Sequence, residues 1–158
     1  MLKKYKYPLL LAGAVTLICG CMFLPNLLAH IPVTYGTDLK PEQFFFNMEF
    51  TNLMNQFFKK GTLPFYSWSM FLGTNFFASQ TFYIMGDPFT WASLLFQNLN
   101  FFDRTLLLEI GKFFISAFSM FYLLRTMKIS EKVSFFGGLC YAFSGWAIFF
   151  SGQLMFHS

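Results

Sequence analysis

The run from Tyr7 to Ile31 carries no formal charge, and this stretch constrains the chain more than any other. A secretory signal needs an apolar region of roughly 7–15 residues, whereas a helix that crosses a bilayer needs about 20. The run is long enough to span, and it follows a basic start at Lys3, Lys4 and Lys6. Two further stretches have comparable length. Thr105–Leu124 is bounded by Arg104 and Arg125 and interrupted by Glu109 and Lys112, and Val133–Phe156 has no formal charge at all. These runs predict membrane helices over 7–31, 105–124 and 133–156. Ile18-Cys19-Gly20-Cys21 faintly resembles a lipoprotein cleavage box. The apolar run continues past it through Met22, Phe23 and Leu24 to Leu28, so an uncleaved helix is the expectation.

Composition agrees. The chain is 56% hydrophobic and only 11% charged, against about 25% charged in a soluble domain. The net charge of +4 does not mark a nucleic-acid surface, because the basic residues sit at the ends of apolar runs, where membrane topology uses them. Lys3, Lys4 and Lys6 place the N-terminus in the cytoplasm, and Arg125, Lys128 and Lys132 place the connection between the second and third helices there too. Residues 32–103 are then expected to form an extracellular loop of a cell-membrane protein that crosses the bilayer several times. Cys19, Cys21 and Cys140 all lie in apolar runs, which argues for inert buried thiols rather than a disulfide framework or a zinc site.

The loop is structured. Gly36-Thr37-Asp38-Leu39-Lys40-Pro41-Glu42 reads as a helix start, with Thr37 or Asp38 near the cap and Pro41 in the first turn. Phe46, Phe50, Leu53, Met54 and Phe57 then recur at helical spacing opposite Asn52, Asn55, Gln56 and Lys59, and Lys59-Lys60-Gly61 forms a plausible end. This amphipathic helix is expected to lie in the outer interface or against neighbouring protein. After the aromatic stretch Thr62–Ser69, Asp87-Pro88 opens a second short helix running to about Asn98. It is too short to span and so interfacial or re-entrant.

The residues able to carry chemistry cluster in and beside this loop. Asp38 can cap its helix, accept a proton from an attacking hydroxyl, or help hold a divalent cation. Asp87 has the same ambiguity, with the capping role more ordinary. Glu109 and Lys112 share a helical face at i, i+3 inside a membrane run, where ionisable groups are costly and point to function by default. Lys112 could hold a lipid phosphate or form an internal ion pair that orients helices. Ser134, Gly138 and Ala142 form a small-residue seam suited to close packing. His30 and His157 stand at membrane edges with no metal constellation around them, and neither a phosphate-binding glycine loop nor a nucleophile triad is present in the sequence.

Four motifs in order carry a resemblance. Tyr35-Gly36-Thr37-Asp38-Leu39 is followed by Leu63-Pro64-Phe65-Tyr66-Ser67-Trp68 leading into Leu72-Gly73-Thr74-Asn75-Phe76. Phe82-Tyr83 with Gly86-Asp87-Pro88-Phe89 comes next, and then Tyr141-Ala142-Phe143-Ser144-Gly145. The chain resembles the start of YfhO-type bacterial membrane proteins over essentially its whole length. That resemblance implies an all-α membrane protein with the N-terminal part of a GT-C-like glycosyltransferase fold. It implies sugar transfer from a polyprenyl-phosphate donor to a cell-envelope acceptor such as lipoteichoic acid, outside the membrane. Asp38 matches the acidic position of the first loop, with the implied role of catalytic base or acceptor orienter, and Asp87 is a secondary acidic candidate. Lys112, Arg104, Trp68 and Tyr66 are candidates for phosphate or sugar contact on their own chemistry. The expected partners are the bilayer, the lipid-linked donor and the polymer acceptor, with no nucleic acid. A divalent cation is left open.

Such proteins are several times longer, so the expectation is that these residues are the first helices and first outer loop of an enzyme and are inactive alone. Two other readings remain: part of a transporter or an assembly scaffold, and a processed lipoprotein beginning at Cys21.

Overall fold

A computed structural model describes residues 6–30, 40–61, 66–68, 73–75, 78, 88–96 and 98–149. Among them the architecture is helical. α1 runs Lys6–Ala29 and α2 Lys40–Lys60. A small antiparallel hairpin pairs β1, Tyr66–Ser67, with β2, Thr74–Asn75. α3, Pro88–Ser93, continues into a 3₁₀ turn at Leu94–Phe96. α4 spans Phe101–Thr126, α5 Glu131–Ala142 and α6 Gly145–Phe149.

Among the described residues, α1 and α4 are the two helices long and apolar enough to cross a membrane. α1 buries one narrow stripe, Leu11, Val15, Cys19 and Phe23, at four-residue spacing. Its remaining circumference is apolar and outward: Leu9, Leu17, Leu24 and Leu28 are exposed. Water would penalise so large an uncovered apolar surface, whereas hydrocarbon does not. Pro25 sits within α1 without ending it, a tolerance common in membrane helices, where local adjustments re-satisfy the freed carbonyl.

α4 and α5 form a tight helical hairpin, the broadest contact of the fold, and α1 packs against both. The connecting turn has the bonding of a Schellman motif. Lys128, at φ +62°, takes the left-handed position after the helix, and its N–H donates to the Arg125 carbonyl (3.0 Å) while Ile129 N–H donates to Leu124 (3.1 Å). Arg125 adds a 2.6 Å bond to the Ile129 carbonyl and lies 3.5 Å from Glu131. Ser134, Gly138 and Ala142 are the buried face of α5, as the small-residue seam predicts. A Cβ on Gly138 would stand 2.8 Å from the Ala117 carbonyl oxygen, so the backbones approach too closely for a larger residue. Phe113 anchors the centre, stacked on Phe143 (5.1 Å) and tilted against Phe23 (5.8 Å).

This order makes α1 antiparallel to α4, because His30, just past the end of α1, meets Asp103 in the first turn of α4. α5 then runs alongside α1, and Lys6, Arg125, Lys128 and Lys132 gather at one end of the bundle.

The helix expected over 133–156 is divided. α5 stops at Ala142, and a new turn of helix starts at Gly145 after Phe143 and Ser144. Ser144 acts as the cap of α6: its Oγ accepts the Ala147 N–H at 3.3 Å and its carbonyl accepts Ile148 N–H at 3.0 Å. The 12 residues of α5 rise about 18 Å, less than the roughly 30 Å of hydrocarbon. An uncharged run records compatibility with lipid but not the helix break that a capping serine introduces.

Candidate functional site

The N-terminal end of α4, where it meets the loop helices, holds most of the buried polar groups among the described residues. Arg104, Leu108 and Lys112 recur every four residues and so share one face of α4. All three are buried, yet none of them belongs to the apolar cluster formed with α1 and α5. This second face is covered from the loop side.

α2 supplies one cover. Its buried positions Phe50, Thr51, Leu53 and Met54 face inward, while Asn52, Gln56, Lys59 and Lys60 are exposed, matching the expected two-sided helix. Thr51 Oγ1 accepts a 3.0 Å hydrogen bond from Arg104 Nη2. Guanidinium and hydroxyl are both almost fully buried, so the bond forms where the local dielectric strengthens it. α3 supplies the other cover. Pro88 opens it, as the Asp-Pro pair predicts. Thr90 is fully buried, Trp91 meets Phe50 edge-on at 5.1 Å, and Phe89 places its ring 5.2 Å from the Lys112 ammonium.

Lys112 is 1% exposed and Glu109 2%, and Nζ lies 3.7 Å from Glu109 Oε1. A carboxylate and an aromatic face are among the groups that attend the ammonium. Taking either ion out of water costs several kcal/mol, roughly, before its attraction to a partner is counted. A membrane helix that keeps both is expected to use them. Arg104 and Lys112 are about 12 Å apart along the axis, so each is tied to a different loop helix.

A second cluster lies on the hairpin. Tyr66 and Trp68 touch edge to face with centroids 4.9 Å apart, and both are exposed, Trp68 at 79%. Gly73, at φ +103°, lies beneath the Tyr66 ring, where any Cβ would collide with it.

Of the candidates read from the sequence, Arg104 and Lys112 come together on one face of α4, and Tyr66 and Trp68 come together on the hairpin. Asp38 and Asp87 lie outside the described residues. Three participants were not singled out in advance. Thr51 is one of several small polar residues on α2, and only its partner distinguishes it. Phe89 follows a helix-opening Asp-Pro and gives no sign of its cation. Asp103 sits 3.0 and 3.1 Å, through its two oxygens, from His30 Nδ1. The signal for that pair was available in principle, since antiparallel neighbours bring the end of one helix to the start of the next. Among the described residues no three His, Cys, Asp or Glu side chains gather as metal ligands would.

The model of the family of bacterial membrane protein YfhO matches residues 42–158. No curated protein and no solved structure matches the chain. The match takes in both loop helices, the hairpin, Asp87 and the α4–α5 hairpin. It begins just after Asp38. The chain belongs to the YfhO family of bacterial membrane proteins.

Proposed function

We propose that this YfhO-family chain provides the first membrane helices and the first outer loop of a glycosyltransferase. The enzyme would move a sugar from a polyprenyl-phosphate donor to a cell-envelope acceptor such as lipoteichoic acid. The N-terminus and the α4–α5 turn lie in the cytoplasm and residues 32–103 outside, because the basic end of the bundle retains the positive-inside bias.

The observation that carries the reading is the polar face of α4. A membrane helix buries Arg104, Glu109 and Lys112 beneath two loop helices, and such groups belong to function rather than to lipid contact. Basic groups at this depth suit the phosphate of a lipid-linked donor, which has to rise from the same leaflet. The reaction is attack of an acceptor hydroxyl on the anomeric carbon: the new C–O bond forms as the bond to the polyprenyl phosphate breaks, and the phosphate leaves with the electron pair. Asp38 takes the hydroxyl proton, and Asp87 orients the acceptor or assists a divalent cation.

In the intact protein, Asp38→Asn should abolish sugar decoration of the envelope. Insertion should be unchanged, as judged by impermeant labelling of a cysteine placed at residue 60. Normal decoration in that variant would remove Asp38 from the mechanism.

The break at Phe143–Ser144, beside an intramembrane ion pair, favours a second reading, a transporter part or envelope-assembly scaffold. Transporters build sites from interrupted helices. On that reading envelope sugars survive loss of the acidic loop residues, while transport or assembly suffers.

A further inference from the structure

Trp68 lies just past β1, and its ring meets that of Tyr66 edge to face, on the Tyr66 face of the hairpin. Asn75 is directly opposite Tyr66 in the ladder and shares that face. The missing side chain at Gly73 lets the Tyr66 ring lie across the backbone, and the ring in turn braces the indole edge to face. Trp68 is thus fixed on one side and open on the other, the most exposed aromatic among the described residues. Asn75 is exposed as well, and its Oδ1 accepts the Ala78 N–H at 3.2 Å. With the carbonyl oxygen so engaged, the carboxamide NH₂ is the group left to donate outward.

An exposed ring face on a hairpin that also presents an amide donor matches one ligand chemistry well. A pyranose presents a face of C–H groups rimmed by hydroxyls, so it can lie on an indole while a hydroxyl accepts from an amide. A phosphate would find no cation in this cluster. An aromatic residue that merely anchors the protein at the bilayer surface would need neither a bracing ring nor an amide donor on the same hairpin.

We propose that Tyr66, Trp68 and Asn75 form a sugar-binding platform that takes the pyranose ring of the transferred or accepting glycosyl unit. The proposal rests on the glycosyl-transfer reading and assigns the hairpin to the sugar rather than to the donor phosphate. Tyr66 and Gly73 act as positioning residues for Trp68.

The test is saturation-transfer NMR on the intact protein in lipid nanodiscs, with methyl β-glucoside, methyl β-galactoside and methyl β-N-acetylglucosaminide as probes. At least one glycoside should receive saturation through its ring C–H protons. The signal should fall several-fold in Trp68→Ala, persist in Trp68→Phe, and weaken in Asn75→Ala. The exposure of Trp68 leaves folding intact in these variants. Equal signals in the unaltered protein and Trp68→Ala, or none from any glycoside, would overturn the platform. So would an unchanged glycoside signal with weaker membrane retention, which assigns Trp68 to the interface. This binding readout is separate from catalysis. If Asp38→Asn still transfers sugar while Trp68→Ala loses the glycoside signal, the catalytic assignment falls and the platform stands; the opposite pair of results removes only the platform.

Discussion

α4 has two buried faces that are built on opposite principles. Toward α1 and α5 it presents Leu106, Phe113, Ala117 and Phe121, joined by the Ser134–Gly138–Ala142 seam. Toward the loop it presents Arg104, Leu108 and Lys112, with Glu109 beside them, met by Thr51 and Phe89. In a bilayer apolar packing gains little over lipid contact, so the first face depends on close fit and short backbone approach. The second depends on charges that have no acceptable alternative in hydrocarbon. The first face assembles the membrane bundle; the second docks the outer loop onto it. The costly charges thus sit at a surface where lipid cannot substitute for the partner groups.

Three single substitutions and one double variant separate these principles. Lys112→Met should have the largest effect, because it leaves the Glu109 carboxylate buried without its ammonium. Breaking such a pair costs about 3–5 kcal/mol. The double variant Glu109→Leu/Lys112→Met should recover most of that loss in the thermal midpoint of the protein in nanodiscs. If the double variant is as unstable as the single one, the second face is held by something other than charge. Thr51→Val removes a charge-assisted hydrogen bond worth roughly 1.5–3 kcal/mol. Its effect should be local: faster hydrogen exchange in α2, with the α4–α5 hairpin unaffected. Gly138→Ala tests the first face, since its Cβ would meet the Ala117 carbonyl oxygen at 2.8 Å. Accommodating such overpacking costs about 1–3 kcal/mol, and here exchange should quicken in α4 and α5 while α2 keeps its protection. Parallel responses in all three single variants would mean that the two faces form one cooperative unit.

Much of the first face was readable from residue order. The small residues at 134, 138 and 142 declare a seam at helical spacing, and the apolar runs locate α1 and α4 within a few residues. α2 begins near the expected Pro41 and ends at Lys60, and α3 begins at Pro88, because caps, prolines and periodicity are local signals. The second face was only half readable. Arg104 and Lys112 drew notice as charges at or inside an apolar run. Their attachment to Thr51 and Phe89 did not, since a threonine on an amphipathic helix and a phenylalanine after a proline look the same whether or not a cation lies above them.

Sequence alone therefore determined that this chain enters a membrane, where its long helices run, and which end of the bundle carries the positive charge. Each of these follows from composition and spacing within a single segment. Tertiary structure decided that the third apolar run divides at Ser144, that His30 meets Asp103, and that two loop helices close over Arg104 and Lys112. The two contacts depend on which helix faces pack together across dozens of residues, which no local pattern encodes. A serine in an apolar run can sit inside a helix or cap a new one, a choice its own sequence leaves open.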